Sequence, residues 1–511
     1  MGLPGECNAA AMGLGSGRFQ LPSRSMVCQQ TRKVVVAVAL ALVGAGPVCA
    51  QSGEAPRRDA KKGDFLRFPL GPLGARGEVL AGSEEITVLD VAKGSPAAQA
   101  GLARADVIVA IDDAVPPKHV RTLEVLDGPM RALGDAIDRA ERTGEALRLA
   151  VRRGRECRDL SITLARRGSL DPIDAGAEGK AGQFYDGICR DLLRSQCEDG
   201  SWRARTGDDA TRYVTALCGL ALLGRGDPSH RDALAKVATF LAGPDRRGTV
   251  SADLLQPAGL SNWHITMSGI FLAEYVLATG ERQWLPTLQH LCDCMAERQT
   301  ENGRYGHGIQ VGYGGKGFNI INTHAHLLWA LAERAGCRID SDAWSRSLAE
   351  IIASTGDNGG VRYWTLQTGY WDAAARTGQM ALALALRGER PELAAKMAAY
   401  LAAHSRRMRE AHAMGSIGMI FGTLALRRLD RSAWAAHLHR WRWYLDLMRL
   451  PDDSAGYVGG KRNNGGDHYL REEHVANAIA GLMFASARGH LHLSGNEQNG
   501  WFGRLRENPV R

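Results

Sequence analysis

The sequence predicts a chain of two folded parts: a small α+β domain followed by an all-α ring of six helix pairs, an (α/α)6 toroid. Three observations lead there. Short β-rich runs broken by Gly and Pro fill residues 63–166. Segments with apolar residues at helical spacing fill residues 184–490, after a Gly-, Arg- and Asp-rich linker at 167–183. These segments come in pairs that recur roughly every 45 to 55 residues, within reach of the helical-repeat periods. The helices read at 184–193, 210–223, 232–242, 263–279, 285–299, 318–335, 343–354, 372–386, 392–404, 413–427, 432–448 and 474–487. Six antiparallel pairs can close on themselves, which buries an inner and an outer layer without capping repeats.

Residues 1–50 read as a signal peptide. Thr31-Arg-Lys33 supplies a basic start, residues 34–46 an apolar run, and Val48-Cys-Ala50 the small residues of a cleavage site. The run is too short to cross a bilayer, so no stable membrane span is expected once the signal is removed. A start at Met26 would give a signal of ordinary length. The expectation is a periplasmic or secreted protein, with residues 51–62 as a linker.

At 511 residues the chain has room for two or three domains. Its net charge of +8 comes largely from arginines scattered over helix faces. No aromatic-interleaved basic stripe accompanies them, which argues against nucleic acid. Seven cysteines lie beyond the leader at irregular spacing, which makes no disulfide framework and predicts buried free thiols. No cofactor and no metal is expected. His324, His468 and His474 come nearest to a metal set, but His324-x-His326 is not a helical ligand spacing and no His-Glu-x-x-His occurs.

In the first domain, residues 86–91 and 106–112 alternate as strands, 133–142 form a short amphipathic helix, and 146–152 with 160–164 complete a sheet. Gly94-Ser-Pro-Ala-Ala-Gln-Ala-Gly-Leu102 reads as a turn, a short helix and a glycine stop. Together with Asp106-Val-Ile-Val-Ala-Ile-Asp112 it resembles PDZ domains of the bacterial periplasmic type. Ala105 departs from that pattern, which usually has Gly before the Asp. The resemblance implies capture of an extended peptide or a protein C-terminus beside residues 133–142, with backbone N–H groups around the terminal carboxylate. Leu70, Gly71, Leu73, Gly74 and Ala75 form the candidate loop, and Arg76 could add charge. Pro72 removes one donor. The competing reading is a PDZ fold used for docking within the chain.

Gln196-Cys-Glu-Asp-Gly-Ser-Trp202 ends the first helix of the ring at an Asp-Gly turn, with weaker echoes at 299–307, 356–363 and 453–457. The motif resembles the repeat of squalene–hopene cyclases and other terpenoid-cyclase or prenyltransferase toroids, where it ties helix ends together. It implies fold and says little about chemistry. Cyclase chemistry needs an Asp-rich acid motif. Asp340-Ser-Asp342 is incomplete and sits where a helix cap before Ala343 explains it. The order of signal, PDZ unit and toroid resembles a bacterial family of exported proteins that carries a domain of unknown function. That likeness implies architecture, not activity.

In a ring of helix pairs the inner helices begin at one end. Their beginnings collect Asn262, Trp263 and His264, then His307, Tyr313, Asn319, Asn322, His324 and His326. Tyr370, Trp371, Asp372 and His412 follow, then Asn463, Asn464, Asp467, His468, Glu472, Glu473 and His474. Helix N-termini there add free N–H groups and positive dipole ends. Singly, the Asn and Asp read as caps and each His as a satisfied polar group. Together they predict a polar mouth. The expected function is binding: a peptide or protein C-terminus at the PDZ unit, and a carbohydrate, another polar ligand or a partner at the mouth. The alternative is a carbohydrate-active lyase or hydrolase. Its candidate catalytic residues are His264, Tyr313, His324, Asp372, His412, Asp467, His468 and His474, with Asp372 and Asp467 as carboxylates and His264 and Tyr313 moving protons. Residues 491–511 read as a tail.

Overall fold

The computed structural model describes residues 65–119, 127–174, 179–204, 208–243, 261–309, 317–365, 373–409, 415–460 and 473–504. The leader expected at 1–50 lies outside them. Strands Phe65–Pro69 (β1), Ala75–Leu80 (β2), Ile86–Val91 (β3), Val107–Ile111 (β4), Leu147–Arg153 (β5) and Glu156–Ile162 (β6) make an antiparallel sheet in the order β6-β5-β4-β3-β2-β1. Helices Pro96–Gln99 (α1) and Pro129–Thr143 (α2) complete the domain. The sheet follows from alternation: Leu147, Leu149 and Val151 of β5 are buried and the residues between them face outward. Helix α2 starts earlier than expected, because Pro129 presets a helical φ just after Gly128 turns at +68°. Ala105 holds φ +69°, a left-handed conformation that explains why glycine usually stands there.

The toroid helices are Lys180–Ser195 (α3), Asp208–Arg225 (α4), Arg231–Ala242 (α5), Ser261–Thr279 (α6), Leu285–Glu297 (α7), Asn319–Ala335 (α8), Ser341–Ser354 (α9), Ala374–Arg387 (α10), Pro391–Ala403 (α11), Gly415–Leu429 (α12), Arg431–Met448 (α13) and Glu473–Arg488 (α14). Even-numbered helices from α4 form the inner layer. Each packs on the next, and α14 packs back on α4 to close the ring. Helix α6 is buried from Ser261 to Ala278, as an inner helix must be. Outer helix α5 buries one stripe, Leu234, Val237, Ala238 and Leu241.

The Asp-Gly turn at Gly200 and the Asn-Gly turns at Gly303 and Gly359 lock neighbouring helices. Gln196 Nε2 donates to the carbonyls of Gly200 and of Ala233 on α5, both at 3.1 Å. Gln299 does the same to Ala343 of α9 at 2.8 Å. Trp202 is fully buried and donates its indole N–H to the Leu192 carbonyl at 2.9 Å. Gly200, Gly303 and Gly359 have φ of +87°, +78° and +88°. Each lies against the backbone of the next outer helix, at Lys236, Arg346 and Lys396, where a Cβ has no room.

The two domains are joined by a buried seam. Helix α2 packs along α13, and Gly134 of α2 leaves no space for a Cβ beside the Trp443 carbonyl. Lys180, expected in the linker, instead opens α3 with its side chain fully buried, 2.7 Å from both Glu141 of α2 and Asp446 of α13. Asp138 of α2 lies 3.4 Å away and also accepts the Leu170 N–H at 2.7 Å. Arg449 pairs with Glu141, and Arg167 reaches Asp453 at 2.6 Å. A seventh strand, Gly459–Gly460 (β7), leaves the toroid and pairs with the outer edge of β1, Leu66 opposite Gly460.

The tail is folded onto the ring. Glu274 near the end of α6 is fully buried and accepts the N–H groups of His492 and Leu493 at 3.0 and 2.7 Å. Arg428 near the end of α12 donates to the His492 carbonyl at 2.8 Å, and Gly500 N–H donates to Leu277 at 2.7 Å. Residues 490–504 thus cross the C-terminal ends of inner helices. Cys189, Cys218, Cys292, Cys294 and Cys337 are buried free thiols. Cys157 departs from the expected burial: it is exposed on edge strand β6. Among the described residues no helix is long and apolar enough to cross a membrane.

Candidate functional site

Residues from five inner helices converge within the first two turns of those helices. His324 of α8 is the hub. Its Nδ1 lies 2.7 Å from the Ile320 carbonyl, which can only accept, so Nδ1 carries the proton. Nε2 is then the acceptor, facing the Tyr213 hydroxyl of α4 at 3.0 Å and the Gln379 amide of α10 at 3.1 Å. Gln379 is oriented by Thr323, 2.8 Å from its Oε1. Trp263 of α6 and Phe421 of α12 meet the imidazole edge-on, with centroids at 5.2 and 6.1 Å. Burial disfavours the cation and pulls the His324 pKa from 6.5 to about 4.

An arc of aromatic faces runs from this hub along the outer-to-inner connections. Trp263 stacks on His307 at 5.9 Å, His307 on Phe318 at 4.4 Å, Phe318 meets Tyr363 at 5.5 Å, and Tyr363 meets Trp364 at 5.0 Å. The Trp263 indole donates to His307 Nδ1 at 2.7 Å. Indole is only a donor, so Nδ1 is unprotonated and Nε2 carries the hydrogen. Half-buried His307 therefore presents an N–H donor at Nε2, and burial lowers its pKa. Asn262 fixes this loop. Its Nδ2 donates to the carbonyls of Gly306 and Gly308 at 3.0 and 2.9 Å, and its backbone N–H to that of His307 at 3.0 Å. Arg298 holds the Asn262 Oδ1 at 2.8 Å.

Comparison with known proteins bears first on the ring. A model described as a domain of unknown function, DUF6288, matches residues 193–495, more than half of the chain. The chain belongs to the DUF6288 family. A PDZ domain model matches residues 87–125. No curated protein matches the chain. Among solved structures, the type II terpene cyclase MstE from Scytonema is similar in its apo form at 15% identity, covering 60% of this chain and 97% of that one with a TM-score of 0.41. A variant of it bound to its substrate, geranylgeranyl dihydroxybenzoate, is similar at 14% identity, covering 63% and 99% with a TM-score of 0.43.

In this DUF6288 toroid the expected residues are placed differently from one another. His324 stands at the hub. His264 is buried in the first turn of α6, and His474 is half-buried in the first turn of α14. His326 turns away from the hub, since two residues of helix rotate the side chain to the other face. It packs edge-on against Trp344 of α9 at 4.2 Å, between the layers. Tyr313, Tyr370, Trp371, Asp372, His412, Asn463, Asn464, Asp467, His468 and Glu472 lie outside the described residues, as does the side chain of Glu473. Asp340 caps α9 through the N–H groups of Asp342 and Ala343, both at 2.9 Å. Tyr213, Gln379 and Phe421 are not among the residues the sequence singles out. They sit at the depth of His324 on their own helices, so a comparison of inner helices position by position would have found them.

PDZ domains are a peptide-binding class, but here the loop expected to hold a carboxylate is closed. Leu70, Gly71, Leu73, Gly74 and Ala75 are buried, and Arg76 alone is exposed. The Leu70, Leu73 and Gly74 N–H groups donate to the carbonyls of Ala75, Leu70 and Gly71 within the loop, at 2.8, 3.4 and 3.2 Å. A Cβ on Gly71 would lie 2.6 Å from the Asp446 carbonyl oxygen of α13. Strand β2 is paired on both sides, by β3 and by β1. The C-terminal residue of β1, Pro69, sits opposite Arg76, beside the loop.

Proposed function

We propose that this is an exported binding protein whose toroid mouth takes a carbohydrate or a similarly polar ligand with flat apolar faces. The half-buried members of the arc, His307, Tyr363 and Trp364, carry the reading, held by the buried rings of Trp263 and Phe318. Aromatic faces suit the C–H faces of a sugar, and the His307 Nε2 hydrogen suits a hydroxyl or carboxylate oxygen. The tail supports it by crossing the opposite end of the ring. The pKa of His324 favours binding over turnover: at about 4 the imidazole is neutral and a weak base near neutral pH. A thermal-shift panel of neutral and uronate-bearing oligosaccharides tests the reading. A bound sugar at about a hundred times its Kd stabilises the fold by about 2.7 kcal/mol and must raise Tm. His307→Ala should abolish that rise while keeping the native circular dichroism. A panel without any shift refutes the proposal.

One observation favours turnover as a second reading. The Tyr213 hydroxyl donates to His324 across the ring, which is the pairing a tyrosine needs to move a proton on a uronate. In that case His324→Ala would abolish formation of an unsaturated sugar product and leave binding in place. Incubation without product, by a chain that binds the sugar, leaves the binding reading.

A further inference from the structure

We propose that the PDZ domain is the clamp that closes the ring, and that its partner is the first and last repeats of its own chain. The toroid joins its ends between α3, the first outer helix, and α13 with the turn after it. The carboxylates that the PDZ domain sends into the seam, Asp138 and Glu141 of α2, both meet Lys180 on the α3 side, and Glu141 also reaches the α13 side. Glu141 lies 2.7 Å from Lys180 on α3 and also pairs with Arg449 just after α13. Strand β1 adds a second tie by pairing with β7, beyond the joint. At the three other junctions described, a glycine turn meets the next outer helix with no second domain between them.

The same contacts explain why loop 70–76 is closed. Its backbone donors are turned inward, its glycine rests on the Asp446 carbonyl, and the adjacent edge of β2 is filled by β1. In this chain the surface that a PDZ domain normally offers to a peptide is used on α13. The charges at its centre are fully buried, so salt in solution cannot screen them as it screens surface pairs.

Gly134→Leu in the full chain tests the clamp. Leucine is the better helix former, so α2 itself is not weakened. Its side chain must nevertheless enter the space of the Trp443 carbonyl and wedge the seam. Hydrogen–deuterium exchange should then quicken by about tenfold or more in α3 and in residues 449–456, both sides of the joint, with α7 and α9 unchanged. Faster exchange confined to residues 65–164 would overturn the proposal. A second measurement covers a variant that fails to fold. A protease site placed at 175–178 of the otherwise natural chain allows a nick after folding. The two pieces should co-elute in size exclusion even at about 1 M salt. Separation of the pieces, with α3 of the freed toroid exchanging at its original rate, would overturn it. So would amidation-sensitive binding of C-terminal peptides by the intact chain at loop 70–76.

Discussion

Asp453 and Gly187 meet where the ring closes. The carbonyl and Cβ of Asp453 occupy the space that a Cβ on Gly187 would need. At the three other turns described, the glycine is in the turn and the outer helix supplies an ordinary residue. Here the turn residue, at φ +62°, has a side chain, and the helix supplies the glycine. The exchange frees the Asp453 carboxylate to pair with Arg167 at 2.6 Å and Arg449 at 3.5 Å.

Gly187→Ala should therefore cost about 3 kcal/mol or more, since the clash is with backbone that cannot move away cheaply. This holds although alanine favours a helix by about 1 kcal/mol. Gly280→Ala is the control. It has φ +78° with nothing within 4 Å of a Cβ, so only the strain of about 1 to 2 kcal/mol applies. Urea midpoints compare the two, and equal losses would contradict the closure described.

His324→Ala removes the acceptor for the Tyr213 hydroxyl and the Gln379 amide and opens a cavity. Stranded buried donors and a void together should cost about 2 to 5 kcal/mol. Chemical denaturation reads the loss. A variant as stable as the natural chain would show that the hub is not packed as described.

Acid should unfold the toroid through its histidines. Burial lowers His324 and His490 to about 4 and His326 and His437 to about 3. Their folded pKa lies below the unfolded value of 6.5, so the native state binds fewer protons. The stability they contribute is present above about pH 6.5 and lost as pH falls toward about 4 and 3. Tm should be flat above neutrality and fall steadily below it. A Tm that rises on acidification would contradict the buried neutral state.

Asp446 runs the other way. Burial raises it to about 6, outweighing the pull of Lys180 and Arg449. Its folded pKa exceeds the unfolded value of 3.8, so its contribution is present below about pH 4 and lost as pH rises through about 6. Asp446→Asn should stabilise the chain by about 1 to 3 kcal/mol near pH 8 and hardly at all near pH 4. Urea midpoints at the two pH values check it. A gain that is largest in acid would contradict the sign.

Periodicity made the ring legible, because outer helices such as α5 bury one stripe and the Gln196–Trp202 motif marks where they stop. His324 was legible as a residue at the start of an inner helix. Its partners were not. Inner helices such as α6 are buried all round, so nothing in their pattern says which residues face the centre, and the Tyr213–His324 contact joins positions far apart in sequence. Lys180 reads as linker in the sequence because its burial depends on α2 and α13, which no local pattern reveals. Strand β7 is two glycines and carries no strand signal of its own.

Histidine-labelled NMR of the folded chain during titration with neutral and uronate-bearing oligosaccharides tests the mouth as a ligand site. The ring-nitrogen signals of His307 and His324 should move together and saturate. His437 in the outer layer and His492 in the tail should hold still. Signals that stay fixed throughout, or movement only at His490 and His492, would contradict it.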